Sequence, residues 1–262
     1  MSDQFKALIL NQEGESFSRE IKSIDKSFLK HGDVTVKVEY SGLNYKDALI
    51  LKNGARLVKE FPHIPGIDFS GTVEDSQSDQ FKPGDEVILT GWRVGEIYYG
   101  GYSQYAKVDS KFLVKKPKEL TLKQSMIMGT AGFTALQSAF VTKLTREELL
   151  LGEKVNDVVV SGASGGVGSI AIMILNKLGC NVTAVTGKNN NFEYLKSNYE
   201  KLGIEVEDLT NILTLSAEER YELFLNEYPG LEHRIPWYYI ASFLGITPVA
   251  LSRIRRKKRE EA

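Results

Sequence analysis

Alternation of apolar and polar positions dominates the first 120 or so residues. In "DVTVKVEY", Val34, Val36, Val38 and Tyr40 fall on one side and Thr35, Lys37 and Glu39 on the other, the period of a half-buried strand. "KPGDEVILTG" gives a Pro-Gly-Asp turn and then a strand over Glu86 to Thr90. "GGYSQYAKV" is a glycine turn feeding another strand. The spacing predicts a compact β domain of barrel type. From about Thr121 the period lengthens. "TLKQSMIMGTAGFTALQSAFV" reads as helix, interrupted by Gly129 and Gly132. "NDVVVSG", a glycine turn, an amphipathic helix and "CNVTAVTG" then make a βαβ unit. "KNNN" at 188–191 reads as a loop, and no strand is expected after Thr186. "LSAEERYELFLNEYP" opens with Ser216 and Glu219 at capping-box spacing, and Tyr221, Phe224, Leu225 and Tyr228 share one helical face.

The glycine turn is the first candidate for chemistry. Val167, Ile170, Ala171, Ile174, Leu175 and Leu178 form the expected buried stripe of its helix. A turn between strand and helix presents free N–H groups at the positive helix end, and glycines let a pyrophosphate approach the main chain. Ala163, Ser164, Gly165, Gly166, Val167 and Gly168 are the candidate cofactor residues; a merely tight strand–helix connection is the alternative. The next strand ends in Thr186, Gly187 and Lys188, with no carboxylate to accept from a ribose 2′-hydroxyl. A hydroxyl and an ammonium suit a 2′-phosphate, so NADP(H) is expected over NAD.

Composition narrows the rest. Lys+Arg 33 against Asp+Glu 34 give no global field for polyanions, but Arg253, Arg255, Arg256, Lys257, Lys258 and Arg259 crowd the end of the sequence. That run is either a nucleic-acid contact or a solvated face. Cys180 is the single cysteine, so an intramolecular disulfide and a Cys-rich zinc site are excluded. His31, His63 and His233 are too scattered in sequence to suggest a metal cluster. No stretch approaches the roughly 18 apolar residues of a membrane span. With no secretory pattern at the start, a cytoplasmic protein is expected.

Specific motifs sharpen this reading. "SGLNYKDAL" (41–49), "PGIDFSGTV" (65–73), "GDEVILTGWRVGE" (84–96), "GGYSQYAKV" (100–108), "MGTAGFTALQS" (128–138) and "SGASGGVGSIAI" (161–172) lie in residues 1–197. This region resembles the zinc-free quinone oxidoreductase and acrylyl-CoA reductase branch of the medium-chain dehydrogenase/reductase superfamily. Zinc enzymes of that superfamily have a cysteine ligand near Asn44; Asn44 and the distant Cys180 agree with the zinc-free branch. The resemblance implies a GroES-like domain (1–120), a Rossmann segment (121–197) and NADPH in the cleft. It also implies hydride transfer to the β-carbon of an enoyl thioester, or to a quinone. Asn44 and Tyr45 match the segment facing the nicotinamide, and Thr130 matches the helix turn near its ring. Asp68 reads as a turn carboxylate or a functional one, and Arg93 as a loop residue or a substrate contact.

The match stops where such enzymes run on for over a hundred residues. Impaired catalysis and an unpaired apolar edge on the first Rossmann strand are therefore expected. Residues 198–209 read as a junction. Within the final module, 210–262, residues 210–259 resemble the helix-turn-helix end of Crp/Fnr-type regulators, carried by "IPWYYIASFLGITPVALSRIRRKK" with Ala241, Gly245 and Leu251 at helix-turn-helix spacing. Trp237, Ile240, Ala241 and Leu244 should form the inner face of the first helix. Thr247 and Pro248 should start the second, with Leu251 and Ile254 inward. Thr247, Ser252, Arg253 and Arg256 are then candidates for duplex DNA, bound weakly because one half-site offers mostly salt-dependent phosphate contact. The expected fold class is α/β plus β with an all-α helix-turn-helix at the end. The alternatives to a reductase are a DNA-binding fragment and an inactive fusion of two truncated proteins.

Overall fold

The predicted alternation at Val34 becomes strand β3 (Val34–Ser41), with Val34 and Val36 fully buried. Its outer end departs from expectation. The register against β4 (Asp68–Ser76) shifts between Val38 and Tyr40, and Tyr40 turns outward to 41% exposure. An extra residue in one strand reverses which face the following side chain takes. The computed structural model describes residues 4–149, 157–187, 189–208, 215–227, 229–233, 235–244 and 246–261. It divides into two units, Met1–Gln137 and Ser138–Ala262.

In the first unit, β1 (Gln4–Glu13) and β2 (Ser16–Asp25) form an antiparallel hairpin. The second sheet has the order β6-β3-β4-β5-β7 and includes β5 (Glu86–Thr90), β6 (Tyr105–Val108) and β7 (Val114–Lys115). Isolated bridges Leu10↔His63 and Ala7↔Ser103 tie the hairpin in. Val87 and Leu89 alternate inward from β5 onto Phe69 and Val36, the larger of the cores here. A second core gathers Leu10, Ile50 and Ile67, and holds helix α1 (Tyr45–Asn53) against the barrel. Helix α2 (Leu122–Leu149) is kinked at Gly129, where φ is 46° and ψ −152°. The predicted interruption is therefore real at Gly129, whereas the helix continues through Gly132.

The second unit carries a parallel sheet of order β10-β9-β8, from β8 (Asp157–Ser161), β9 (Asn181–Thr186) and β10 (Glu205–Asp208). Helices α3 (Gly166–Lys177) and α4 (Asn189–Tyr199) connect the strands. Two expectations are corrected. A strand does follow Thr186, because Ile204 (1% exposed) and Val206 anchor a short acidic segment beside β9. Asn189 to Asn191 are the first turn of α4, not a loop. The buried face of α3 is Ala171, Ile172 and Leu175, so Ile172 replaces Val167, which is 40% exposed. Among the described residues β8 has β9 as its only neighbour, and Val159 stays 38% exposed, in line with the unpaired edge expected there.

Helices α5 (Ala217–Glu227), α6 (Trp237–Phe243) and α7 (Pro248–Glu261) close on Tyr221, Phe224, Ile240, Ala241, Leu244, Leu251 and Ile254. The capping box forms: Ser216 N–H donates to Glu219 Oε2 at 2.7 Å and Glu219 N–H to Ser216 Oγ at 3.2 Å. The inner face of α6 is the predicted one except for Trp237, 45% exposed, which lies at the helix start before the buried turn. Tyr228 and Gly245 lie outside the described residues. No helix among the described residues is long and apolar enough to cross a membrane.

Candidate active site and dinucleotide turn

Two features are candidates for chemistry, one in each unit. The first is a buried polar knot around Asp68, which enters β4 from "PGIDF" and is fully buried. Its Oδ1 accepts the Gly42 N–H at 3.0 Å. Its Oδ2 accepts from Asn44 Nδ2 at 3.0 Å, the Thr130 N–H at 2.9 Å and the Thr130 hydroxyl at 2.7 Å. One carboxylate thus fastens the exit of β3, the start of α1 and the kink of α2. Two glycines make room for it. A Cβ at Gly42 would stand 2.6 Å from Asp68 Oδ1, and one at Gly129 would stand 3.0 Å from Oδ2.

Asn44 is also held by Asp47, likewise fully buried. Asp47 Oδ2 accepts the Asn44 N–H at 2.9 Å and Asn44 Nδ2 at 3.2 Å, and its Oδ1 accepts the Ile67 N–H at 3.0 Å. Burial pushes the Asp47 carboxyl above the usual range, and the charge of Asp68 adds to it, against the pull of these hydrogen bonds. Tyr102 donates to the Gly42 carbonyl at 3.0 Å. Burial raises its phenol far above normal, with the Asp47 and Asp68 charges acting the same way.

Of the predicted site residues in this unit, Asn44 and Thr130 meet on Asp68, while Tyr45 projects beside them in sequence at 81% exposure. Asp68 is a buried structural hub for these residues. Arg93 lies in a left-handed pair with Trp92 (φ 61° and 54°). It sits 3.7 Å from Glu96, a nearly buried carboxylate that also binds Lys46 at 2.8 Å. Asp47, Gly42 and Glu96 were not singled out from the sequence. The one local signal was the Asn44–Asp47 spacing of a helix cap, which concerns Asp47 alone.

The second feature is the turn "SGASGGVG". Gly162 takes a left-handed φ of +67°, and Gly165 caps α3 in an extended conformation. The Gly165 N–H closes the turn on the Gly162 carbonyl at 2.8 Å. A Cβ at Gly168 would meet that same carbonyl oxygen at 2.3 Å, so the turn and the helix touch there without a side chain between them. Gly165, Gly166 and Val167 are exposed, Ser164 and Gly168 are half-buried, and Ala163 is buried beneath. The first N–H groups of a helix have no carbonyl four residues back, so this open turn could hold an anion. Thr186 departs from expectation: it is 1% exposed at the end of β9, with its neighbour β10 alongside, and Gly187 is the exposed residue. Lys188 lies outside the described residues.

In the helical region Thr247 caps α7, accepting the Ala250 N–H at 3.1 Å, as predicted. Thr247, Ser252, Arg253 and Arg256 are all exposed. Part of the basic run is neutralised, with Lys257 on Glu218 at 3.1 Å and Lys258 on Glu222 at 2.9 Å.

Comparison with known proteins agrees with this arrangement. Residues 30–118 match the model of the alcohol dehydrogenase GroES-like domain. The acrylyl-CoA reductase AcuI of Ruegeria pomeroyi is 48% identical over 195 residues, which is 74% of this chain and 58% of that protein. The putative quinone oxidoreductase YhfP of Bacillus subtilis is 44% identical over 196 residues, 75% of this chain and 58% of its own length. Among solved structures, the yhdH oxidoreductase of Salmonella enterica in complex with NADP superposes with a TM-score of 0.70 at 42% identity, covering 79% of this chain and 62% of that one. The chain therefore spans somewhat under two thirds of the length of these relatives. With the GroES-like sheet, the parallel βαβ and the glycine turn all in place, the N-terminal three quarters of the chain belongs to the medium-chain dehydrogenase/reductase superfamily, in its acrylyl-CoA reductase and quinone oxidoreductase branch.

Proposed function

We propose that the chain is an NADPH-dependent reductase of activated alkenes, with enoyl thioesters such as acrylyl-CoA as first candidates and quinones as second. The observation that carries this reading is the 48% identity over 195 residues to an acrylyl-CoA reductase. The open glycine turn suits the cofactor: it is largely exposed, rich in glycine and sits at a helix N-terminus. Ala163 to Gly168 would hold the pyrophosphate, and Gly187 with Lys188 the 2′-phosphate. NADPH, when bound, supplies the hydride, so the protein needs no nucleophile. What remains for the chain is to orient the reactants and to deliver a proton to the carbon or oxygen left negative. Asn44 and Thr130 are the positioning groups of this reading, and Tyr45 is the proton source. The test is consumption of NADPH with acrylyl-CoA and with a quinone, each against a blank lacking acceptor. Acceptor-dependent oxidation supports the reading, and none with either acceptor overturns it.

A second reading, weak binding of duplex DNA by residues 210–262, rests on one observation. The Thr247 cap starts a helix whose exposed side carries Ser252, Arg253 and Arg256. Its contacts would be mostly with phosphate and would weaken steeply with salt. A mobility shift titrated with salt checks it; a salt-insensitive complex, or none at low salt, counts against it.

A further inference from the structure

Trp237 is the one residue of the expected inner face of α6 that the core does not take. It stays 45% exposed and lines two adjoining cavities beside α7, of about 350 and 240 Å³. Ser252 and Arg256 line both, Arg255 the larger, and Pro248, Val249 and Arg253 the smaller. Ser252 and Arg256 are four positions apart and share a face of α7, with Arg253 and Arg255 to either side. Among the described residues no carboxylate lines either cavity. The acids of α5 meet the basic run elsewhere, Glu218 on Lys257 and Glu222 on Lys258. Arg253 and Arg255 have no ion pair among the described residues.

The groove thus sets a half-exposed indole against guanidinium groups. The core of this module closes on Tyr221, Phe224, Ile240, Ala241, Leu244, Leu251 and Ile254 without that ring. An acidic peptide would use the arginines alone. Duplex DNA has its bases already stacked on one another and presents no free base face to the indole. An unpaired nucleotide offers both a phosphate for arginine and a π-face for the ring. We infer that the groove between Trp237 and α7 binds single-stranded nucleic acid, with bases stacking on Trp237 and phosphates meeting Arg253 and Arg255. This site is independent of the reductase reading. It shares α7 with the duplex reading and differs from it in the ligand, so the two fail separately.

Trp92→Phe leaves Trp237 as the only tryptophan of the full chain, so its emission reports on the groove. Single-stranded oligothymidylate of about ten residues should quench that emission saturably at low salt, and its duplex with oligodeoxyadenylate should bind roughly tenfold more weakly. With a labelled oligonucleotide followed by anisotropy, Trp237→Ala should weaken binding roughly tenfold, and Trp237→Tyr, which keeps a ring, by no more than about threefold. Arg253→Ala should lower the slope of log affinity against log salt by about 0.7. A duplex bound as tightly as the single strand overturns the inference and leaves the duplex reading standing. Equal loss in Trp237→Ala and Trp237→Tyr, or no loss in either, overturns the stacking and the inference with it. Quenching matched by oligoglutamate or inorganic phosphate means that any anion suffices, and also overturns it. Binding of neither nucleic acid overturns both readings.

Discussion

Replacing Asp68 with alanine removes, in one step, the acceptor of the Gly42 N–H, Asn44 Nδ2, the Thr130 N–H and the Thr130 hydroxyl. Hydrogen bonds to a charged partner contribute about 1.5–3 kcal/mol each, and a buried donor left unpaired costs about 1–3 kcal/mol. The four are not additive, because Gly42, Asn44 and Thr130 are each half-buried and water can reach some of them once the carboxylate is gone. The discounted expectation is a loss of about 3–4 kcal/mol for the first unit. Asp68→Asn keeps one carbonyl acceptor and should lose about half as much. The assay is urea unfolding followed by tryptophan emission. Trp92 and Trp237 are the two tryptophans, so Trp237→Phe leaves Trp92 as reporter of the first unit. A loss below about 1 kcal/mol for Asp68→Ala would mean that the knot does not fasten the three segments, and the account of the site would fall with it.

Other expectations concern the same elements. Gly168→Ala brings a Cβ to 2.3 Å from the Gly162 carbonyl oxygen and should abolish dinucleotide binding, by titration, while the first unit unfolds as in the wild type. Tyr45→Phe removes the exposed phenol and should lower kcat about a hundredfold with little change in KM for NADPH; an unchanged kcat removes Tyr45 as the proton source. His63 is 1% exposed, and burial holds its imidazole below the ordinary range against the opposing pull of the Gly95 backbone. The unfolded chain then binds the proton more readily, so stability should be full above a pH of about 6.5 and decline as the pH falls toward the lower folded value. His63→Phe should flatten that decline in urea titrations at several pH values. Val159→Lys, on the strand with an open side, should reduce concentration-dependent aggregation measured by light scattering.

Much of this architecture is legible in the sequence. Strong period-two stretches such as Val34–Val38, and the strand–glycine–helix passage at Ser161–Gly168, declare themselves because local geometry and burial agree. The capping residues Ser216, Glu219 and Thr247 were legible for the same reason. What stayed hidden was either short or long-range. Strand β10 has four residues, three of them acidic, and is held by Val206 and the preceding Ile204 rather than by any pattern of its own. The bulge that turns Tyr40 outward is set by the neighbouring strand. The Asp68 knot joins residues 24, 26 and 62 positions away, and nothing in "PGIDF" alone says that its carboxylate is the hub. Such a site is made by topology, and the sequence shows only its separate donors.

The proposed activity is NADPH binding followed by hydride transfer to an activated alkene or a quinone. The most direct measurement is a titration of the purified full chain with NADPH, followed by nicotinamide fluorescence, with acrylyl-CoA then added to the complex. The account predicts saturable binding that Gly168→Ala abolishes, and loss of the NADPH signal on adding acrylyl-CoA or, failing that, a quinone. Absence of saturable binding, or a bound NADPH that neither acceptor oxidises, would contradict it.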